Sequence, residues 1–128
     1  MSLKDSLKIM VVDDMSVSRG LIIQALEEIG IWNHVSENDG ASALQRLAST
    51  PVHLIISDQN MPNLDGMGLL KGIRSNRNTQ QIGFILVTGS PTPQLIETGK
   101  ALGMNNMIKK PFTTESMKQC IERVVGKL

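Results

Sequence analysis

The chain has 128 residues, 41% of them hydrophobic, which suits one domain around a single core. Thirteen Lys and Arg against twelve Asp and Glu leave a net charge of +1 with no long basic run, and this argues against a nucleic-acid reader. A lone cysteine excludes an intrachain disulfide, and no apolar run is long enough for a signal peptide or a membrane span, so a soluble cytoplasmic protein is expected.

The first apolar run, Lys8–Val12 (KIMVV), reads as a strand ending in Asp13-Asp14. Leu21, Ile22, Ala25, Leu26 and Ile29 then mark one face of a helix closed by Gly30, with Asp13, Ser16 or Ser18 as candidate caps. Trp32 is expected to pack between this helix and a weaker strand nearer an edge, His34–Glu37 (HVSE). Ala41, Ala43, Leu44 and Leu47 mark a second helix, stopped by Pro51. The nearly unbroken run His53–Ser57 (HLIIS) suits a strand covered on both faces, and it ends in Asp58. A turn through Asn60 and Pro62 leads to Asp65-Gly66, which opens a third helix with Met67, Leu69, Leu70 and Ile73 on its apolar face.

A fourth strand, Gly83–Val87 (GFILV), ends in Thr88. Thr92-Pro93 reads as a cap followed by a first-turn proline, opening a fourth helix through Leu95, Ile96 and Leu102. The fifth strand, Asn106–Lys109 (NMIK), ends at Lys110, with Pro111 behind it. Thr113 caps a fifth helix whose apolar face is Met117, Ile121, Val124 and Leu128, with Cys120 as a small core residue. Met15 and Met61 read as core filling, and His34 and His53, with no third ligand at useful spacing, as structural. Five alternations of strand and helix predict one doubly wound α/β domain over residues 1–128, a five-stranded parallel sheet with five helices and right-handed crossovers.

Sheets of this kind bind ligands beyond the carboxyl ends of their strands. At those ends stand Asp13, Asp14, Asp58, Thr88 and Lys110, and the fold would bring them to one rim. Closely packed carboxylates repel, and a hard divalent cation with an all-oxygen shell offsets that repulsion, which points to magnesium. A metal, an ammonium and a hydroxyl together suit the three oxygens of a phosphoryl group, with one carboxylate as the nucleophile that forms an acyl phosphate.

Four segments carry a resemblance: VVDD (Val11–Asp14), ISDQNMPNLDG (Ile56–Gly66), VTG (Val87–Gly89) and KPFT (Lys110–Thr113). In this order, each at a predicted strand end, they are similar to receiver domains of two-component response regulators, and among those to the stand-alone chemotaxis type, CheY. The resemblance covers essentially the whole chain and implies the strand order 2-1-3-4-5. It implies that Asp58 is the phosphoacceptor. Asp14 and Asp58 would bind Mg²⁺ directly together with the backbone carbonyl of Asn60, and Asp13 mainly through water. Thr88 would hydrogen-bond the phosphoryl group, and Lys110, which immediately precedes a cis Pro111, would pair with it, while Lys109 points to the other face.

The implied function is a signalling switch. A histidine kinase of the chemotaxis type phosphorylates Asp58, and the surface of the fourth helix, fifth strand and fifth helix changes for a flagellar switch protein or another target. A phosphatase is a further candidate partner. No enzyme activity is expected beyond the protein's own phosphotransfer and dephosphorylation, no output domain is expected after Leu128, and neither nucleic acid nor membrane is an expected partner. Met107 departs from the family, which usually carries Tyr or Phe three positions before the lysine. It has no hydroxyl and no flat face, and this keeps an alternative open: a phosphate sink or relay without a motor target. A dehalogenase-type phosphatase needs Asp-x-Asp on the first strand and a flavodoxin needs a hydroxyl- and glycine-rich loop there, and Asp13-Asp14-Met15 supplies neither.

Overall fold

The computed structural model describes residues 2–128. Five strands form one parallel sheet in the order β2-β1-β3-β4-β5: β1 (Ile9–Val12), β2 (His34–Glu37), β3 (Leu54–Asp58), β4 (Gly83–Thr88) and β5 (Asn106–Lys109). Side chains of a strand alternate between faces, so the sheet supports two cores. On one face Ile9, Val11, Ile56, Ile85 and Val87 pack against Ile22, Ala25 and Leu26 of α2 (Ser16–Ile29) and against Met117, Cys120 and Ile121 of α6 (Thr114–Val125). On the other, Met10, Val12, Ile55, Phe84 and Leu86 pack against α3 (Gly40–Leu47) and α4 (Gly66–Arg74), with Leu95 and Leu102 of α5 (Pro93–Leu102) at its edge. This is the expected doubly wound domain, with one addition. A one-turn helix, α1 (Leu3–Ser6), precedes β1, held by Ser2 Oγ donating to Asp5 at 2.9 Å, so the described residues form six helices where five were expected. Among the described residues no helix is long and apolar enough to cross a membrane.

The helix ends show how the sequence imposes the turns. Thr92 accepts from the Leu95 amide at 3.1 Å and Thr113 from the Ser116 amide at 3.0 Å, both at expected caps. At the start of α2 the serine candidates do not hold, and Asp13 makes the bond there. Neither Ser16 nor Ser18 caps α2; Met15 stands at the N-cap, and Asp13 Oδ1 accepts the Met15 amide at 3.0 Å instead. Met15 is therefore exposed rather than core filling.

Trp32 also differs from expectation: it is 69% exposed, not packed away between α2 and β2. The C-terminus of α2 explains this. Gly30, at φ 103°, donates to Glu27 O, and Ile31 N donates to Leu26 O at 2.9 Å, the paired bonds of a Schellman turn. That turn aims Ile31 into the core, where it is fully buried, and the next residue, Trp32, points out.

Candidate functional site

The carboxyl ends of β1, β3, β4 and β5 deliver the expected residues to one rim. Carboxylate oxygens of Asp13, Asp14 and Asp58 all lie within 4.8 Å of one another. Asp13 follows β1 and is buried, its amide tied to Glu37 O at the end of β2 at 3.1 Å. Asp14, one residue further along the loop, is exposed. Asp58 is the last residue of β3 and 6% exposed.

Lys110 Nζ, just past β5, lies 2.7 Å from Asp58 Oδ1. Lys109, its neighbour on the strand, is exposed and makes no such pair, as the alternation of faces requires. The Lys110–Pro111 peptide bond is cis, as expected. Thr88 ends β4 and is 2% exposed. Its Oγ1 accepts from the Ser90 amide at 3.1 Å, a bond that leaves the hydroxyl proton available to another acceptor. Asn60 is exposed and opens the loop after β3.

Burial is the main influence on Asp58 and pushes its carboxyl above the ordinary aspartate value. The hydrogen bond and charge of Lys110 pull it down, and the charges of Asp13 and Asp14 push it up. One ammonium thus stands against three carboxylates. Asp13 Oδ2 is fully buried and has no hydrogen-bond partner among the described residues, an unusual state for a carboxylate oxygen. An orphaned acid oxygen inside an all-oxygen cluster is what a hard divalent cation would satisfy, so the residues present fit Mg²⁺.

Arg19 and the cap made by Gln59 carry no signal in the sequence, whereas Asp65-Gly66 reads as the helix opening. Arg19 Nη1 donates to the backbone carbonyl of Asp13 at 2.7 Å and so braces the acidic loop from the first turn of α2. Gln59, next to Asp58, turns away from the cluster: its Oε1 accepts the Met67 amide at 3.0 Å and its Nε2 donates to Asp65 at 3.2 Å. Asp65 accepts from Gly68 N at 2.8 Å, so Gln59 and Asp65 together cap α4. Gly66 permits the approach, because a Cβ there would lie 2.6 Å from a Leu86 methyl and 2.7 Å from Asp58 O. The histidines are structural: His34 pairs with Glu27 at 2.9 Å, and His53 Nδ1 accepts the Lys8 amide at 2.9 Å.

A buried acid at the end of a central parallel strand, two further acids on the neighbouring strand's exit and a lysine from the edge define a doubly wound α/β domain with its candidate site at the carboxyl ends of the strands. Residues 9–122 match the response regulator receiver domain family, and the chain belongs to it. Over all 128 residues, and 99% of the relative, it is 41% identical to a probable chemotaxis protein CheY of Rhizobium etli. The solved structure of Vibrio cholerae chemotaxis protein CheY4 superposes with a TM-score of 0.86 at 28% identity, covering 92% of this chain and 98% of that one. The receiver domain of a Pseudomonas aeruginosa sensor histidine kinase, solved with a magnesium ion coordinated in its active-site cleft, superposes with a TM-score of 0.84 at 25% identity, covering 94% and 98%.

Proposed function

We propose that the protein is a cytoplasmic response regulator of the CheY type whose Asp58 accepts a phosphoryl group from a histidine kinase. The observation that carries this reading is the pairing of a buried nucleophile with its counter-ion: Lys110 Nζ at 2.7 Å from Asp58 Oδ1, with the orphaned Asp13 Oδ2 in the same cluster. The Asp58 carboxylate attacks phosphorus, the P–N bond of the donor phosphohistidine breaks, and an acyl phosphate remains on Asp58. Lys110 orients the carboxylate beforehand and pairs with a phosphoryl oxygen afterwards, and the Thr88 hydroxyl donates its proton to another. Asp13, Asp14, Asp58 and the Asn60 carbonyl would hold Mg²⁺, which when bound neutralises charge on the transferring group. The protein catalyses only this self-modification and its reversal.

The names of the relatives support chemotaxis as the output. The proposed route is a phosphorylation-dependent surface on α5, β5 and α6 offered to a flagellar switch protein. Lys100 and Lys109 are exposed there and suit an acidic partner. One observation favours the second reading, a phosphate sink. Met107 sits half-buried with Leu95, Leu102 and Met104, where an unbranched thioether fills space without the hydroxyl or flat ring of the usual aromatic.

Acetyl phosphate with Mg²⁺ tests the chemistry. Mass spectrometry should show one phosphoryl group per chain, absent in Asp58→Asn and strongly reduced by a chelator; labelling that persists in Asp58→Asn would overturn the assignment. Capture of a flagellar switch protein only by the phosphorylated form separates the switch from the sink.

A further inference from the structure

The loop between β3 and α4 leaves and rejoins the fold at one neck. Gln59 N donates to Val87 O at 3.2 Å, and Gly66 N donates to Gln59 O at 3.0 Å. Beyond the neck, Pro62 and Asn63 are exposed, and Asn63 takes the left-handed conformation at φ 69°. Leu64 N bonds only within the loop, to Pro62 O at 2.8 Å. Among the described residues no hydrogen bond ties 61–64 to another element, so side-chain packing must hold this segment. Met61 is buried near the neck, and Leu64 anchors the far end.

The seat of Leu64 is made by two missing side chains. A Cβ on Gly40, the first residue of α3, would lie 2.8 Å from Leu64 O and 3.2 Å from its Cβ and Cδ2. A Cβ on Gly68, in the first turn of α4, would lie 2.6 Å from Leu64 Cδ1 and 3.2 Å from its Cγ. Asp39 fixes the α3 side of the seat by accepting from Ser42 N at 2.7 Å, and Asp65 fixes the α4 side by accepting from Gly68 N at 2.8 Å.

We propose that Leu64, clamped between Gly40 and Gly68, is a positioning residue for the metal site. It locks the loop carrying Asn60 against the starts of α3 and α4, and cation affinity therefore depends on a contact in which none of the three acids takes part. The inference rests on the proposed function for the role of the Asn60 carbonyl. Its structural half, that Leu64 orders the loop, stands apart from any metal.

Three variants test it: Leu64→Ala, Gly68→Ala and the double variant. Hydrogen exchange of residues 60–65 is read without metal, Mg²⁺ affinity by calorimetry, and global stability by urea. Leu64→Ala should speed exchange in 60–65 and weaken Mg²⁺ about tenfold, as loss of an outer support typically does. Gly68→Ala should do the same by displacing the leucine, and the double variant should be no worse than Leu64→Ala, since the displaced group is gone. Should Leu64→Ala fail to fold, Leu64→Val gives the same reading at smaller amplitude.

Unchanged exchange in 60–65, or losses that add in the double variant, would overturn the proposal and leave Leu64 as ordinary packing. If wild type itself binds no Mg²⁺, the proposed function falls, while the exchange data still decide whether Leu64 orders the loop.

Discussion

At Asp58 the cost of burial and the need for a nucleophile oppose each other. A carboxyl whose folded-state pKa lies above its unfolded value takes up protons on folding between the two values, so stability falls as pH rises through that window and stays lowered above it. Asp58→Asn removes the penalty. Without Mg²⁺ the variant should be more stable than wild type at pH 7, with the advantage vanishing below about pH 3.9, the unperturbed aspartate value. Urea unfolding across this range checks it, and equal stability at pH 7 would show that Lys110 compensates the burial fully. Cys120 gives a second test. Burial pushes its thiol up to about 11, so at pH 8 it should resist a disulfide reagent in the native protein and react once unfolded by urea. Asp58, Thr88 and Lys110 were legible because each sits one step past an apolar run. Arg19 was not: an arginine in a first turn reads as a solvated charge until the fold shows it reaching Asp13 O.

Among the elements, Arg74 has the widest reach. From the last residue of α4 its guanidinium donates to Gly103 O at 3.2 and 3.0 Å, Gln80 O at 3.1 Å, Ile82 O at 2.6 Å and Asn105 Oδ1 at 3.0 Å. It thereby pins the turns before β4 and β5. Arg74→Ala should cost about 2–3 kcal/mol in urea unfolding, within the range for hydrogen bonds to charged groups. Arg74→Lys should recover little of it, because a single ammonium cannot reproduce the fork. The strands were readable to within a residue at either end, and for β1, β3 and β4 the reason is that both-faced burial leaves continuous apolar runs. The short α1 escaped because four residues show no periodicity, and Met15 and Trp32 misled because side-chain direction follows turn geometry that hydrophobicity alone does not report.

For the molecule as a whole, function and stability share one rim. The orphaned Asp13 oxygen and the like charges around it make the apo state costly there, so Mg²⁺ should stabilise the fold by mass action, by about 2.7 kcal/mol at a hundredfold excess over Kd. Thermal denaturation with and without the ion measures this, and Asp13→Asn should remove most of the gain. The opposite end of the sheet has a consequence for the bench. The single indole precedes β2 at the amino ends of the strands, in water and away from the acids. Its emission should already be red-shifted in the native protein and barely respond to metal or phosphoryl addition, so a flat fluorescence trace would say nothing against occupancy of the rim.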